Sequence, residues 1–272
     1  MRPGTFIYGI ASVAAGVLDL VWDEFEPAHQ PIQAWGDHIP GVSIFAYIAA
    51  VWLIAGGAAI LWRRTALAGA TALAILYAIF AVFPLPRFYI TPHYLGYHAS
   101  VYIGVLDFVC LQLILVVSAA IVRASLTTRG SLSLPAPRVA PWTFGLCSIN
   151  FGLAHLTDVQ ATASMVPKWM PVGGDFGTVL TGIAFVLAGL GIVSGIRDVL
   201  AARLLGTMLL VFSVVVLTPM IFAAPHDHTS WGGNAYNLTA VGAAWILADW
   251  LATRAQLERL SNGVRTPSII RN

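Results

Sequence analysis

The sequence predicts an all-α polytopic membrane protein, with eight transmembrane helices arranged as two parallel four-helix repeats. Three observations predict it. Mean hydropathy is +0.81, 58% of the residues are hydrophobic and only 10% are charged, against about 25% charged in soluble domains. The apolar residues gather into runs long enough to cross a hydrocarbon core. The basic residues fall almost entirely into alternate connections between those runs.

The runs are taken in chain order. The first covers 5–22, is rich in Gly and Ala, and carries Asp19 about a turn from its end. The second and third cover 42–62 and 65–83, and Pro84 and Pro86 close the third. The fourth covers 98–122, and the polar, Pro-punctuated stretch 123–140 links it to the second half. Runs five to eight cover 141–157, 175–195, 199–222 and 235–253, and a solvated tail occupies 254–272. In lipid a single segment satisfies its own backbone only as a helix, and barrel strands would alternate in polarity and be about half as long. Met1 and Arg2 before an apolar run resemble a signal peptide, but the same segment recurs later in the chain, so it is read as a helix.

Arg2, Arg63, Arg64, Arg123, Arg129, Arg138, Arg197, Arg203, Arg254, Arg259, Arg265 and Arg271 fall on one side, and only Arg87 and Lys168 on the other. That bias predicts cytoplasmic termini and suits a bacterial inner membrane. All seven histidines then lie on the outer side. Residues 1–122 and 141–253 read as repeats. Gly9 and Gly16 match Gly145 and Gly152, Trp35 matches Trp169, and Tyr102 matches Tyr236. Gly56, Arg64, Pro86 and His93 match Gly189, Arg197, Pro219 and His226. Four helices per half make the repeats parallel rather than inverted.

The formal charge of +2, without a Lys/Arg cluster, argues against a nucleic-acid partner. Cys110 and Cys147 stand alone in apolar runs, which excludes CxxC motifs and Cys-rich zinc sites and leaves them as core thiols.

The candidate functional residues are titratable groups near the outer ends of the runs or deep within them. Asp19 and Asp23 share a face if their helix continues, and two close carboxyls titrate apart, as acid/base chemistry needs. His155 takes the place of Asp19 in the second repeat, and Asp158 at i+3 is set to orient its imidazole. Pro92-His93 and Pro225-His226 fix a histidine between helices, and His226-Asp227-His228 adds ligands of a kind suited to zinc, copper or iron. Asp107 lies deep in run four, where a carboxyl costs about 2.5–3.5 kcal/mol and so faces the bundle interior. Asn150 and Gln112 are the other deep polar side chains. Trp35 and Trp169 follow amphipathic stretches that could lid a pocket.

The stretches Phe144-Gly-Leu-Cys-Ser-Ile-Asn-Phe-Gly-Leu-Ala-His155, Ser164-Met-Val-Pro-Lys-Trp-Met-Pro171 and Leu180-Thr-Gly-Ile-Ala-Phe-Val-Leu-Ala-Gly189 resemble a DoxX-type four-helix membrane unit. Repeat one resembles it more loosely, with Asp19 in place of the histidine. The resemblance covers nearly the whole chain as a tandem pair. It implies a redox-linked subunit like the membrane subunits of a thiosulfate:quinone oxidoreductase. Such a subunit would hold a quinone or another lipid-soluble small molecule between helices near the outer face. On that reading Asp19, Asp107, His155 and Asp158 are the catalytic candidates, Trp35, Trp169 and Asn150 the cofactor contacts, and His93, His226 and His228 the metal candidates. A transition metal or haem ranks below a quinone. The expected partners are the bilayer, the small molecule, and other membrane or periplasmic subunits. Three alternatives stay open: a non-catalytic structural subunit, a membrane isomerase or cyclase using buried carboxylates, and a metal- or haem-binding accessory subunit.

Overall fold

A computed structural model describes residues 2–27, 29, 41–127, 138–169 and 173–264, and among these all regular structure is helical. Trp35, His38 and most of the 123–140 linker lie outside the described residues. The elements are α1 (Pro3–Trp22), α2 (Val42–Leu61), α3 (Ala66–Val82), α4 (Arg87–Leu95), α5 (Ala99–Thr127) and α6 (Val139–Thr157). They continue as α7 (Val159–Ala163), α8 (Gly174–Ser194), α9 (Asp198–Phe212), a π-helical turn (Ser213–Leu217), α10 (Thr218–Ala223) and α11 (His228–Val264).

Five segments are long and apolar enough to cross a membrane: α1, α2, α5, α8 and the continuous stretch Asp198–Ala223. A sixth is reached if α3 and α4, bent by 42° at their junction, count as one span. These apolar helices suit a multi-pass protein in a lipid bilayer. Runs five and eight of the sequence became α6 and α11, which do not reach that apolar level. The reason is visible in their packing. Ser148 and Asn150 of α6 and Asn234 and Thr239 of α11 are buried, so their polar groups face protein rather than lipid. Helix α11 is the best-buried element, with Ala243, Ala244, Leu247 and Ala248 at 0% exposure.

The long helices close into a ring. In order around it, α1 packs on α2, α2 on α3, α3 on α5, α5 on α6, α6 on α8, α8 on α9, α9 on α11, and α11 back on α1. Helices α5 and α11 also touch across the middle, where the Ser118 hydroxyl reaches the Ala243 carbonyl at 3.3 Å. The ring is thereby divided into two compartments. One is walled by α1, α2, α3, α5 and α11, the other by α5, α6, α8, α9 and α11. Each contains one helix from the opposite half of the chain.

Close backbone approach fixes both compartments. A methyl added at Gly57 would lie 2.7 Å from the Gly9 carbonyl oxygen, and one at Gly189 would lie 2.5 Å from that of Gly145. Only glycine permits helices to meet so closely, and in lipid such contact is a main source of helix association. The π-helical turn has a local cause. Pro219 has no N–H to continue the α pattern, and Thr218 donates instead to the Ser213 carbonyl at 2.7 Å. Asn237 of α11 caps the widened turn, donating to the Leu209 carbonyl at 2.7 Å and the Ser213 hydroxyl at 2.8 Å.

Candidate functional site

Helix α1 turns Tyr8, Ser12 and Asp19 toward the interior of the first compartment, all three at 0% exposure. Their spacing of four and seven residues keeps them on one helical face. Tyr77 from α3 meets this row, its hydroxyl 2.9 Å from that of Ser12, while Ser12 donates to the Tyr8 carbonyl at 2.8 Å. The Tyr8 hydroxyl donates to the Leu115 carbonyl of α5 at 2.9 Å. From α11, Tyr236 faces the Gln112 amide of α5, with Glu26 and Tyr77 close enough to act on it electrostatically.

The histidine end of this compartment is closed by the chain that follows α1. The helix stops at Trp22 because Asp23 turns left-handed, with φ 57°. The chain then folds back so that the Glu26 backbone N–H donates to Asp19 Oδ1 at 3.1 Å. His228, the first residue of α11, lies with Nε2 3.4 Å from Asp19 Oδ1 and Nδ1 3.2 Å from Glu24 Oε1. Its ring stacks on Trp22 with a centroid separation of 5.1 Å. Asp19 is fully buried and Glu24 is 54% exposed, so the imidazole bridges an interior carboxylate to the surface. His29 is buried between Phe80, stacked at 4.1 Å, and the edge of Tyr236 at 5.0 Å. Burial, with the nearby His228 charge, drives the His29 imidazole down from 6.5 to about 3.

Several buried polar atoms here have no hydrogen-bond partner among the described residues. They are Asp19 Oδ2 and both ring nitrogens of His29, while the Gln112 amide and the Tyr236 hydroxyl face each other outside good hydrogen-bond geometry and have no further partner. More than nine in ten buried polar groups in native proteins are paired. Thr178, Asn234 and Trp250 hold further such atoms elsewhere, but the densest group lies in the first compartment.

Other expected residues fall elsewhere. Asp23 does not share a face with Asp19, because the helix ends between them, and it accepts instead from the Tyr47 hydroxyl at 2.6 Å. Asp158 does not orient His155. Helix α6 ends at Thr157, and Asp158 caps α7 by accepting from the Ala161 N–H at 3.2 Å. His155 donates from Nδ1 to the Phe151 carbonyl at 2.8 Å and sits among the rings of Phe185 and Phe212. Asp107 and Asn150 come together across α5 and α6, where Asn150 Nδ2 donates to Asp107 Oδ1 and to the Ile103 carbonyl.

Among the described residues no three His, Cys, Asp or Glu side chains gather as a metal site. His93 is exposed beside Tyr89 and Tyr97, and His226 is exposed with its carbonyl accepting from Trp22. Only His228 faces carboxylates. Asp227 caps the start of α11: the Ser230 hydroxyl at 2.7 Å, with nearby backbone N–H groups, holds its carboxyl below the usual range. Trp169 is 65% exposed in a turn after α7.

His29, Tyr77, Tyr236, Tyr8 and Ser12 were missed as site residues. The row Tyr8-Ser12-Asp19 carried a signal, since polar groups at helical spacing in an apolar run face inward. His29 carried none, because its burial depends on a loop folding back. Comparison with protein-family models, curated proteins and solved structures gave no match to this chain.

Proposed function

We propose that this chain is a redox-linked, DoxX-like membrane protein that binds a quinone, or a carbonyl compound of similar lipid solubility, in the first compartment. On this reading it crosses a bacterial inner membrane eight times, as two parallel four-helix repeats with cytoplasmic termini, and the histidine end faces outward. The glycine contacts made in both compartments and the parallel pair α5 and α11 at the centre support that arrangement.

The observation that carries the ligand is the cluster of orphaned polar atoms at Asp19, His29, Gln112 and Tyr236. The Tyr236 hydroxyl and the Gln112 amide are donors suited to a carbonyl oxygen, and Phe80 offers an aromatic wall beside them. A quinone supplies two-electron chemistry coupled to two protons. The residues of the chain manage the protons. Glu24 takes a proton at the surface, His228 passes it inward, and Asp19 holds it beside the pocket, next to Tyr77 and Ser12.

The test is extraction and binding. Protein purified in native lipid discs should release about one quinone per chain on solvent extraction, and added quinone should quench Trp22, which stacks on His228. The double variant Gln112→Leu/Tyr236→Phe should bind at least ~10-fold more weakly. If wild-type protein carries no quinone and added quinone leaves Trp22 emission unchanged, the reading is wrong.

A further inference from the structure

Cys110 and Cys147, expected from the sequence as separate core thiols, meet between α5 and α6. Both are free and buried, at 5% and 3% exposure. The two helices run antiparallel, and the bond between Asp107 and Asn150 sets their register. One helical turn further on, Cys110 follows Asp107 on α5 and Cys147 precedes Asn150 on α6, so the thiols form the next rung of the same ladder. Cys147 engages Cys110 side chain to side chain, and Asp107 acts on Cys147 electrostatically. One turn before Asp107, a methyl group built at Gly104 would meet nothing within 4 Å, and Asp107 itself is only half-buried. Open space along α5 therefore reaches Asp107, one turn from the thiols.

We propose that Cys110 and Cys147 are a redox-active dithiol, oxidised to a disulfide by a lipid-soluble quinone, with Asp107 accepting the first thiol proton. Two S–H bonds break and one S–S bond forms. The two electrons and two protons pass to the quinone, making two O–H bonds and a hydroquinone. Asn150 occupies Asp107 Oδ1, leaving Oδ2 to take the proton, and positions the carboxylate one turn from Cys110. The thiolate is the reactive form; burial and a neighbouring negative charge both oppose it, so the thiol proton leaves only by transfer to an acceptor, the part Asp107 Oδ2 plays by becoming neutral. The disulfide would join α5 to α6 and so tie the two halves of the chain together. The proposal shares with the preceding reading only the class of carrier; the site is different.

Reduced full-length protein in lipid discs would be mixed, without oxygen, with a short-chain ubiquinone analogue. The thiols would then be alkylated in denaturant and the peptides mapped without reductant. The expected result is one cross-linked pair, Cys110 with Cys147, and about one hydroquinone per chain, as two-electron exchange requires. Cys110→Ser and Cys147→Ser should each abolish both products. Asp107→Asn should slow the reaction at least ~10-fold while the disulfide still forms with diamide. Full alkylation of both cysteines after excess quinone overturns the proposal, whether or not diamide cross-links them. Trp22 emission recorded in the same samples separates the two readings. Quenching with both thiols still reduced sinks the dithiol alone, and a disulfide without quenching sinks only the first-compartment pocket.

Discussion

The two compartments of the ring use matched positions for opposite purposes. In the first, Tyr8, Ser12 and Asp19 of α1 face Tyr77, Tyr236 and His228. At the same spacing in α6 stand Phe144, Ser148 and His155, which face Phe185 and Phe212. Ser12 bonds to a tyrosine hydroxyl, whereas Ser148 donates to the Phe185 carbonyl at 2.8 Å. With Phe144 where α1 has a tyrosine and His155 where it has a carboxylate, this row of α6 carries no acid. One scaffold thus supports a polar interior row and an aromatic one. The difference rests on which side chains bring charge inside, since a buried charge is kept only where a partner is supplied.

The largest effect should come from removing that partner. His228→Ala leaves Asp19 buried with the Glu26 N–H alone, and breaking a buried pair costs about 3–5 kcal/mol. Detergent unfolding curves should show that loss, whereas His155→Ala, which faces only a carbonyl and phenyl rings, should cost about half as much or less. Equal losses would erase the contrast between compartments.

Next in size is a pH effect confined to the first compartment. His29 is held neutral by burial down to about 3, so its folded value lies below its unfolded one. Its contribution is complete above the unfolded value of about 6.5 and is lost as the pH falls from there toward 3. Stability should drop by up to about 1.4 kcal/mol per pH unit in that window. His29→Phe should flatten the slope between pH 6 and pH 4, to be read from unfolding midpoints at a series of pH values (window set by about 6.5 and about 3). An unchanged slope would place the responsible proton elsewhere.

Smaller still is the contrast between two tyrosines. Tyr77→Phe removes the bond to Ser12 and should cost about 1 kcal/mol. Tyr236→Phe removes a hydroxyl that faces only the Gln112 amide, outside good hydrogen-bond geometry, and should leave unfolding within about 0.5 kcal/mol of wild type. A large destabilisation by Tyr236→Phe would show that the hydroxyl serves the fold rather than a ligand. Smallest is Asp158→Ala, which removes the α7 cap for about 0.5–1 kcal/mol. It should not perturb the His155 ring environment in histidine NMR spectra; a shifted His155 signal would restore the pairing read from the sequence.

How much was legible can be judged residue by residue. Asp19, His228, Asp107 and Asn150 stood out because each is polar in or beside an apolar run, and such groups must face protein. The pairing of Asp107 with Asn150 was not legible, because it depends on the register between α5 and α6. Nor was the end of α1 at Trp22, where a left-handed Asp23 separates two carboxylates that a continued helix would have aligned.

The sequence by itself determined that the chain is helical and apolar, and where its charges fall, because hydrogen bonding in lipid and the cost of burying charge act on each segment separately. The tertiary structure decided the rest. It brought α11 into the first compartment, folded His29 and Glu26 over Asp19, and set Cys110 opposite Cys147. Those outcomes depend on which helices meet and in what register, and close packing between distant segments fixes both.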